Sequence, residues 1–162
     1  MTSYEVFVIA RALHVLGVVM WIGGVAFVTT VLIPSLRRMP DADKRLELFE
    51  KLEGRFSFQA KIVTVITGAS GFYMVHHLDG WARFKEPALW WMHAMVLVWV
   101  MFTLVLFVLE PLFLHRWFHE RAKRDPDGTF RLVHRMHVIL LTLSLIAVAA
   151  AVAGVRGLRL LP

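Results

Sequence analysis

The chain has 162 residues, no cysteine and a formal net charge of +6. Without cysteine there are no disulfides, thiolate metal sites, iron–sulfur clusters or covalently attached haem. Hydrophobic residues make up 58% and mean hydropathy is +0.63, more apolar surface than a soluble domain of this size can bury. The basic residues lie between long apolar runs, which points to membrane topology and anionic headgroups and excludes nucleic acid as the partner.

A membrane span takes about 20 apolar residues. The first candidate covers about 4–33, with Pro34 at its exit; it is too long for a cleavable signal and follows no basic segment. Residues 35–57 are charged. Within them, between Asp41 and Glu53, Leu46, Phe49 and Leu52 recur at helical spacing, which predicts a short amphipathic interfacial helix. A second span is expected over about 58–78. The short link Asp79 to Glu86 carries Trp81, and Pro87 opens a third span over about 87–114. A basic loop, 115–132, holds a turn at Asp125-Pro126-Asp127-Gly128. The fourth span covers about 133–155 and ends at Gly154 and Gly157. The expected architecture is an all-α integral membrane protein: one domain, a four-transmembrane-helix bundle, and the amphipathic helix between helices one and two.

Thirteen of the eighteen Lys and Arg lie within 35–61 and 115–135. The positive-inside rule puts those segments in the cytoplasm and both termini outside, in a bacterial cytoplasmic membrane. Trp81, Trp90 and Trp91 would then form an outer aromatic belt and Trp117 an inner one.

Eight histidines are many for such a chain, and ionisable groups inside spans usually mark function. With that topology His14, the pair His76 and His77, and His93 fall in one outer layer on three different helices. Such a layer suits a b-type haem, whose two axial positions two neutral imidazoles can fill. His14, Gly17, Trp21 and Gly24 share one helix face, with small residues where a macrocycle would press on backbone. Arg11, one turn above His14, and Arg83 in the outer link are candidate propionate partners. The bland readings are a helix cap for His76 or His77, the aromatic belt for His93, and close helix packing for the glycines.

A second group, His115, His119, His134 and His137, lies at the opposite end among arginines, either solvated or holding a second haem or a metal; His137 and His134 are its candidate ligands. Met92-His93-Ala94-Met95 and Met74-Val75-His76-His77 offer soft ligands for copper(I), or are core fillers. Glu110 and Lys61 fall at similar depth and can pair, as a structural ion pair or a proton relay.

The segment Ala12-Leu13-His14-Val15-Leu16-Gly17-Val18-Val19-Met20-Trp21-Ile22-Gly23-Gly24, followed by an apolar run to Pro34, resembles the first helix of the copper resistance protein D (CopD)-like membrane family. Thr67-Gly68-Ala69-Ser70-Gly71-Phe72 resembles its second helix, and His134-Arg135-Met136-His137 to Gly154 its last, so the resemblance covers most of the chain. That family in turn resembles the HemJ-type protoporphyrinogen oxidases, four-helix proteins that bind haem b. The resemblance implies haem ligation by His14. HemJ proteins also use a Lys beside their third helix, where this chain has His93 and no Lys.

The expected function is a membrane cytochrome with bis-His haem b, the iron held by His14 and one of His76, His77 and His93, exchanging electrons with a quinone or a redox protein partner. Alternatives are copper binding or transport and HemJ-like porphyrinogen oxidation. The chain is expected to be a homo-oligomer or a subunit of a larger complex.

Overall fold

A computed structural model describes residues 2–157, which are almost entirely helical, with no strand among them. Helix α1, Ser3–Phe27, opens with a capping box: the Thr2 hydroxyl accepts from the Glu5 N–H and the Glu5 carboxylate from the Thr2 N–H. The rod continues through a π-helical stretch, Val28–Leu32, into the short α2, Ile33–Leu36. Helix α3, Ala42–His77, begins at Asp41, whose carboxylate accepts from the N–H groups of Asp43 and Lys44. Two 3₁₀ turns, Gly80–Lys85 and Pro87–Leu89, lead to α4, Trp90–Leu104. A second π-helical stretch, Val105–Leu114, contains Pro111, which can donate no backbone hydrogen bond. Helices α5, His115–Arg124, and α6, Pro126–Val155, complete the described chain.

Among the described residues three helices are long and apolar enough to cross a membrane: Ser3–Leu36, Pro87–Leu114 and Pro126–Val155. Their outward sides are apolar, with Leu16, Leu97, Leu112 and Val152 all more than half exposed. Such a surface is unstable in water and consistent with lipid contact.

The structure departs from the sequence expectations in three places. The expected interfacial helix and second span are one rod, α3, because residues 42–61 are mostly good helix formers and Gly54 alone does not break them. Its apolar stripe packs inward: Phe49 is buried against Phe118 and Phe130, with Leu46 and Leu52 at the edge of that cluster. The part of α3 expected to span is not among the three strongly apolar helices, diluted by Lys61, Thr64, Thr67, Ser70, His76 and His77. Third, Asp125-Pro126-Asp127-Gly128 is a helix start and not a turn. The Asp125 side chain caps the Gly128 N–H and Pro126 takes the first helical position, where its missing donor costs nothing.

Helices α1 and α3 are antiparallel along their whole contact. Phe7 stacks on His77, His14 meets Thr67, Gly17 abuts Thr67, and Gly24 abuts Phe56. Helix α4 packs on α6, with the Trp91 indole over Gly154. One core cluster joins Trp21, Ile22, Val25, Val63, Val98, Phe102 and Leu141; a second joins Val28, Ile33, Leu36, Phe49, Phe118 and Phe130. Residues 37–57 and 115–131 lie beside the second cluster, at what we term the basic end. There Arg45, nearly fully buried, reaches Asp127 at 2.9 Å and lies over the Phe130 ring.

Candidate functional site

His14 is held by α3. Its Nδ1 lies 2.9 Å from the carbonyl oxygen of Thr67, and Ser70 Oγ stands 3.4 Å from the same nitrogen. A carbonyl can only accept, so Nδ1 carries the proton and donates, and in the neutral imidazole this leaves the lone pair on Nε2. Ligating histidines in metal sites are oriented in this way, by a backbone carbonyl on the second nitrogen. Gly71 makes room for the ring: a Cβ there would lie 3.0 Å from His14 Cε1.

His77 sits on the same α1–α3 seam, half-buried between Phe7 and Tyr73, with ring centroids at 5.1 and 5.8 Å. Phe7 and His14 are seven residues apart, so the two histidines are offset by about 10 Å of helix rise. His76 is exposed. His93 is exposed too and meets the edge of Phe84 at 5.3 Å. Arg11 and Arg83 are both exposed. The face with Gly17, Trp21 and Gly24 is filled by protein: Thr67 and Phe56 occupy the glycine positions, and Trp21 packs edge-on against Phe102 at 4.9 Å. Met92 is in the core while its neighbour His93 faces outward, so the two do not converge. Among the described residues no group of three or more His, Asp or Glu is placed to hold a metal ion.

At the basic end His134 has both nitrogens engaged. Nε2 donates to the Thr29 carbonyl at 3.0 Å, and Nδ1 lies 3.5 Å from an Arg37 guanidinium nitrogen. His137 donates Nδ1–H to Val133 of its own helix at 2.9 Å, keeping Nε2 free. The two therefore look to different partners. His119 Nδ1 meets the Glu50 carboxylate at 2.9 Å. The side chain of His115 and the whole of Arg159 lie outside the described residues.

Apart from Lys61, the residues of a polar face on α3 were not singled out by the sequence. Glu50, Glu53, Ser57, Lys61, Thr64, Thr67 and Ser70 recur every three or four residues. From the π-helical stretch, Glu110 Oε2 accepts from Ser57 Oγ at 2.5 Å and its Oε1 from Lys61 Nζ at 3.1 Å. Burial, reinforced by the Glu110 and Glu50 charges and opposed by Lys61, pushes the Glu53 carboxyl up to about 7. Ser57, Thr64 and Thr67 are each at most 4% exposed, and the Thr64 and Thr67 hydroxyls make no hydrogen bond. The signal was present as Ser and Thr at helical spacing, but which side of α3 is buried depends on what packs on it. No protein-family model, no curated protein and no solved structure matches this chain.

Proposed function

We propose that this chain is a membrane-embedded b-type cytochrome of the CopD-like kind, with the C-terminal half of α3 as its second of four membrane-spanning helices and the basic end cytoplasmic. The observation that supports this reading is the geometry of His14. A histidine inside a span, its Nδ1–H fixed on the Thr67 carbonyl and its Nε2 free, has the chemistry of an axial haem ligand. The donor set fits the group on this side: a half-buried imidazole on a helix whose outward side is apolar, with Leu13 and Leu16 both exposed.

In this reading His14 and one of His76, His77 and His93 would hold the haem iron. His77 is the one that the α1–α3 seam brings beside α1. The two exposed arginines, Arg11 and Arg83, would pair with the haem propionates. Haem b held by two histidines would supply one-electron transfer. Thr67 and Ser70 fix the imidazole plane, Gly71 leaves it space, and the Trp21–Phe102 contact keeps water from the adjoining core. The exchange partner is a quinone or a redox protein reached through the membrane.

The test is an optical spectrum of the purified protein, oxidised and then reduced, with metal analysis of the same sample. Sharp α and β bands with a Soret peak, abolished in His14→Ala, are expected. A colourless protein carrying stoichiometric copper overturns the haem reading in favour of a Met and His copper site. Full haem retention in His14→Ala overturns the ligand assignment.

A further inference from the structure

We propose that the groove between the π-helical stretch Val105–Leu114 and the N-terminal third of α6 holds one anionic phospholipid. Its acyl chain lies against Leu112, Phe113, Leu132 and Met136, and its phosphate beside Arg121 and Arg124 of α5. The inference goes beyond the redox reading above and depends on no haem.

The groove follows from how the helices are tied. Helix α4 packs on α6, with Trp91 over Gly154. Beyond Leu104 the rod continues as the π-helical stretch, where Glu110 is bound to Ser57 and Lys61 of α3. Those bonds hold the stretch on α3, and it makes no comparable packing with α6. The divergence opens an apolar groove of about 680 Å³ lined by Leu112, Phe113, Leu132 and Met136, with Trp117 and Glu120 of α5 also lining it. Leu112, Phe113 and Met136 are exposed side chains at the end of a span, so the groove opens on the side where acyl chains run.

A polar recess of about 330 Å³ adjoins the groove and shares Trp117 and Glu120 with it; Arg121, Arg124 and Asp125 complete its lining. Both acids of the recess are already engaged. Glu120 accepts from Arg116 Nε at 2.9 Å, and Asp125 accepts from the Gly128 N–H at 2.8 Å as the cap of α6. Arg121 and Arg124 have no carboxylate partner among the described residues, and Arg121 lies over the Trp117 ring at 5.5 Å. Two uncompensated guanidinium groups therefore stand beside an apolar slot, which is the pattern that an anionic amphiphile complements. A guanidinium matches phosphate oxygens through paired N–H donors. The pattern disfavours the other occupants. A second copy docking by the same face would bring the same arginines against these, and a zwitterionic lipid brings a cation with its phosphate.

The experiment is native mass spectrometry of the full chain released from detergent, with phosphatidylglycerol or phosphatidylcholine titrated in, reading the affinity for the first lipid retained. Wild type is expected to hold phosphatidylglycerol about tenfold more tightly than phosphatidylcholine. Arg121→Gln combined with Arg124→Gln should erase that preference. Met136→Trp, which fills the groove with an indole, should weaken both lipids. Arg38→Gln combined with Arg55→Gln removes the same charge from the basic end outside the groove and should leave both affinities unchanged. All the substituted side chains are exposed, so the variants are expected to fold. Equal affinity of wild type for the two lipids overturns the site, as does a loss in the Arg38 and Arg55 variant as large as that in the Arg121 and Arg124 variant. So does wild-type binding of phosphatidylglycerol by Met136→Trp. A wild-type dimer that Met136→Trp converts to monomer overturns it too, by making the groove an interface between copies. The readout needs no haem, so a site that fails leaves the optical spectrum untouched.

Discussion

His134 of α6 donates its Nε2–H to the carbonyl oxygen of Thr29 in α1, at 3.0 Å. The bond exists because of a defect in the helix. In the π-helical stretch the Ile33 N–H bonds to Val28 and not to Thr29, and the next residue, Pro34, has no N–H. The Thr29 carbonyl is thus left without a helical partner in a residue only 2% exposed. The imidazole repairs it and ties α1 to α6. His134→Ala is therefore expected to lower stability by about 1–3 kcal/mol, the cost of one buried unsatisfied group. His134→Gln should recover part of the loss through its amide N–H. Thermal unfolding in detergent measures both, and an unchanged midpoint in His134→Ala would remove the bond from the account.

The Lys61–Glu110 pair, also bound to Ser57, is only partly exposed at both ends. Breaking such a pair from one side strands a charge, whereas neutralising both sides does not. Lys61→Met alone should destabilise the protein by about 2 kcal/mol, and adding Glu110→Gln should restore most of that loss. A double variant as unstable as the sum of the singles would show that the two side chains do not couple.

Glycines at the helix seams should separate into two classes. A Cβ on Gly68 would collide with the Trp99 indole, whose Nε1 donates to the Thr64 carbonyl at 2.9 Å, whereas a Cβ on Gly23 meets nothing within 4 Å. Gly68→Ala is expected to cost about 1–3 kcal/mol through overpacking. Gly23→Ala is expected to be neutral, or stabilising by up to about 1 kcal/mol through helix propensity. Equal midpoints for the two variants would contradict the close α3–α4 contact.

Stability should depend on pH through Glu53. Its carboxyl is raised from 4.5 to about 7 on folding, first by burial and then by Glu110 and Glu50. Below about pH 4.5 both folded and unfolded chains hold the proton and the group contributes no difference. Between that value and about 7 only the folded chain holds it, so stability falls as pH rises through this window and the penalty is complete above it. Unfolding midpoints measured from pH 5 to 8 should decline in wild type by the equivalent of about 2 kcal/mol, and Glu53→Gln should flatten that slope. A wild-type curve parallel to that of Glu53→Gln would mean Glu53 is not the group responsible.

Composition and periodicity by themselves determined that this chain is helical and built for lipid, and where three of its long apolar helices lie, because hydropathy over about 20 residues is a local property. They also put Lys61 and Glu110 at one depth, and those two are in contact. They marked His14 as a polar group inside a span, but not its tautomer, which the Thr67 carbonyl sets across fifty-three residues of sequence. The unbroken course of α3 was hidden because its charged half looks like a surface helix until Phe118 and Phe130 cover Leu46, Phe49 and Leu52. The start of α6 was misread as a turn, since Asp-Pro serves both and only the cap on Gly128 decides. The polar face of α3 was the least legible feature. Ser57, Thr64 and Thr67 are ordinary small residues in sequence, and they are buried only because the antiparallel packing of α1 and the approach of the Glu110 stretch close over them.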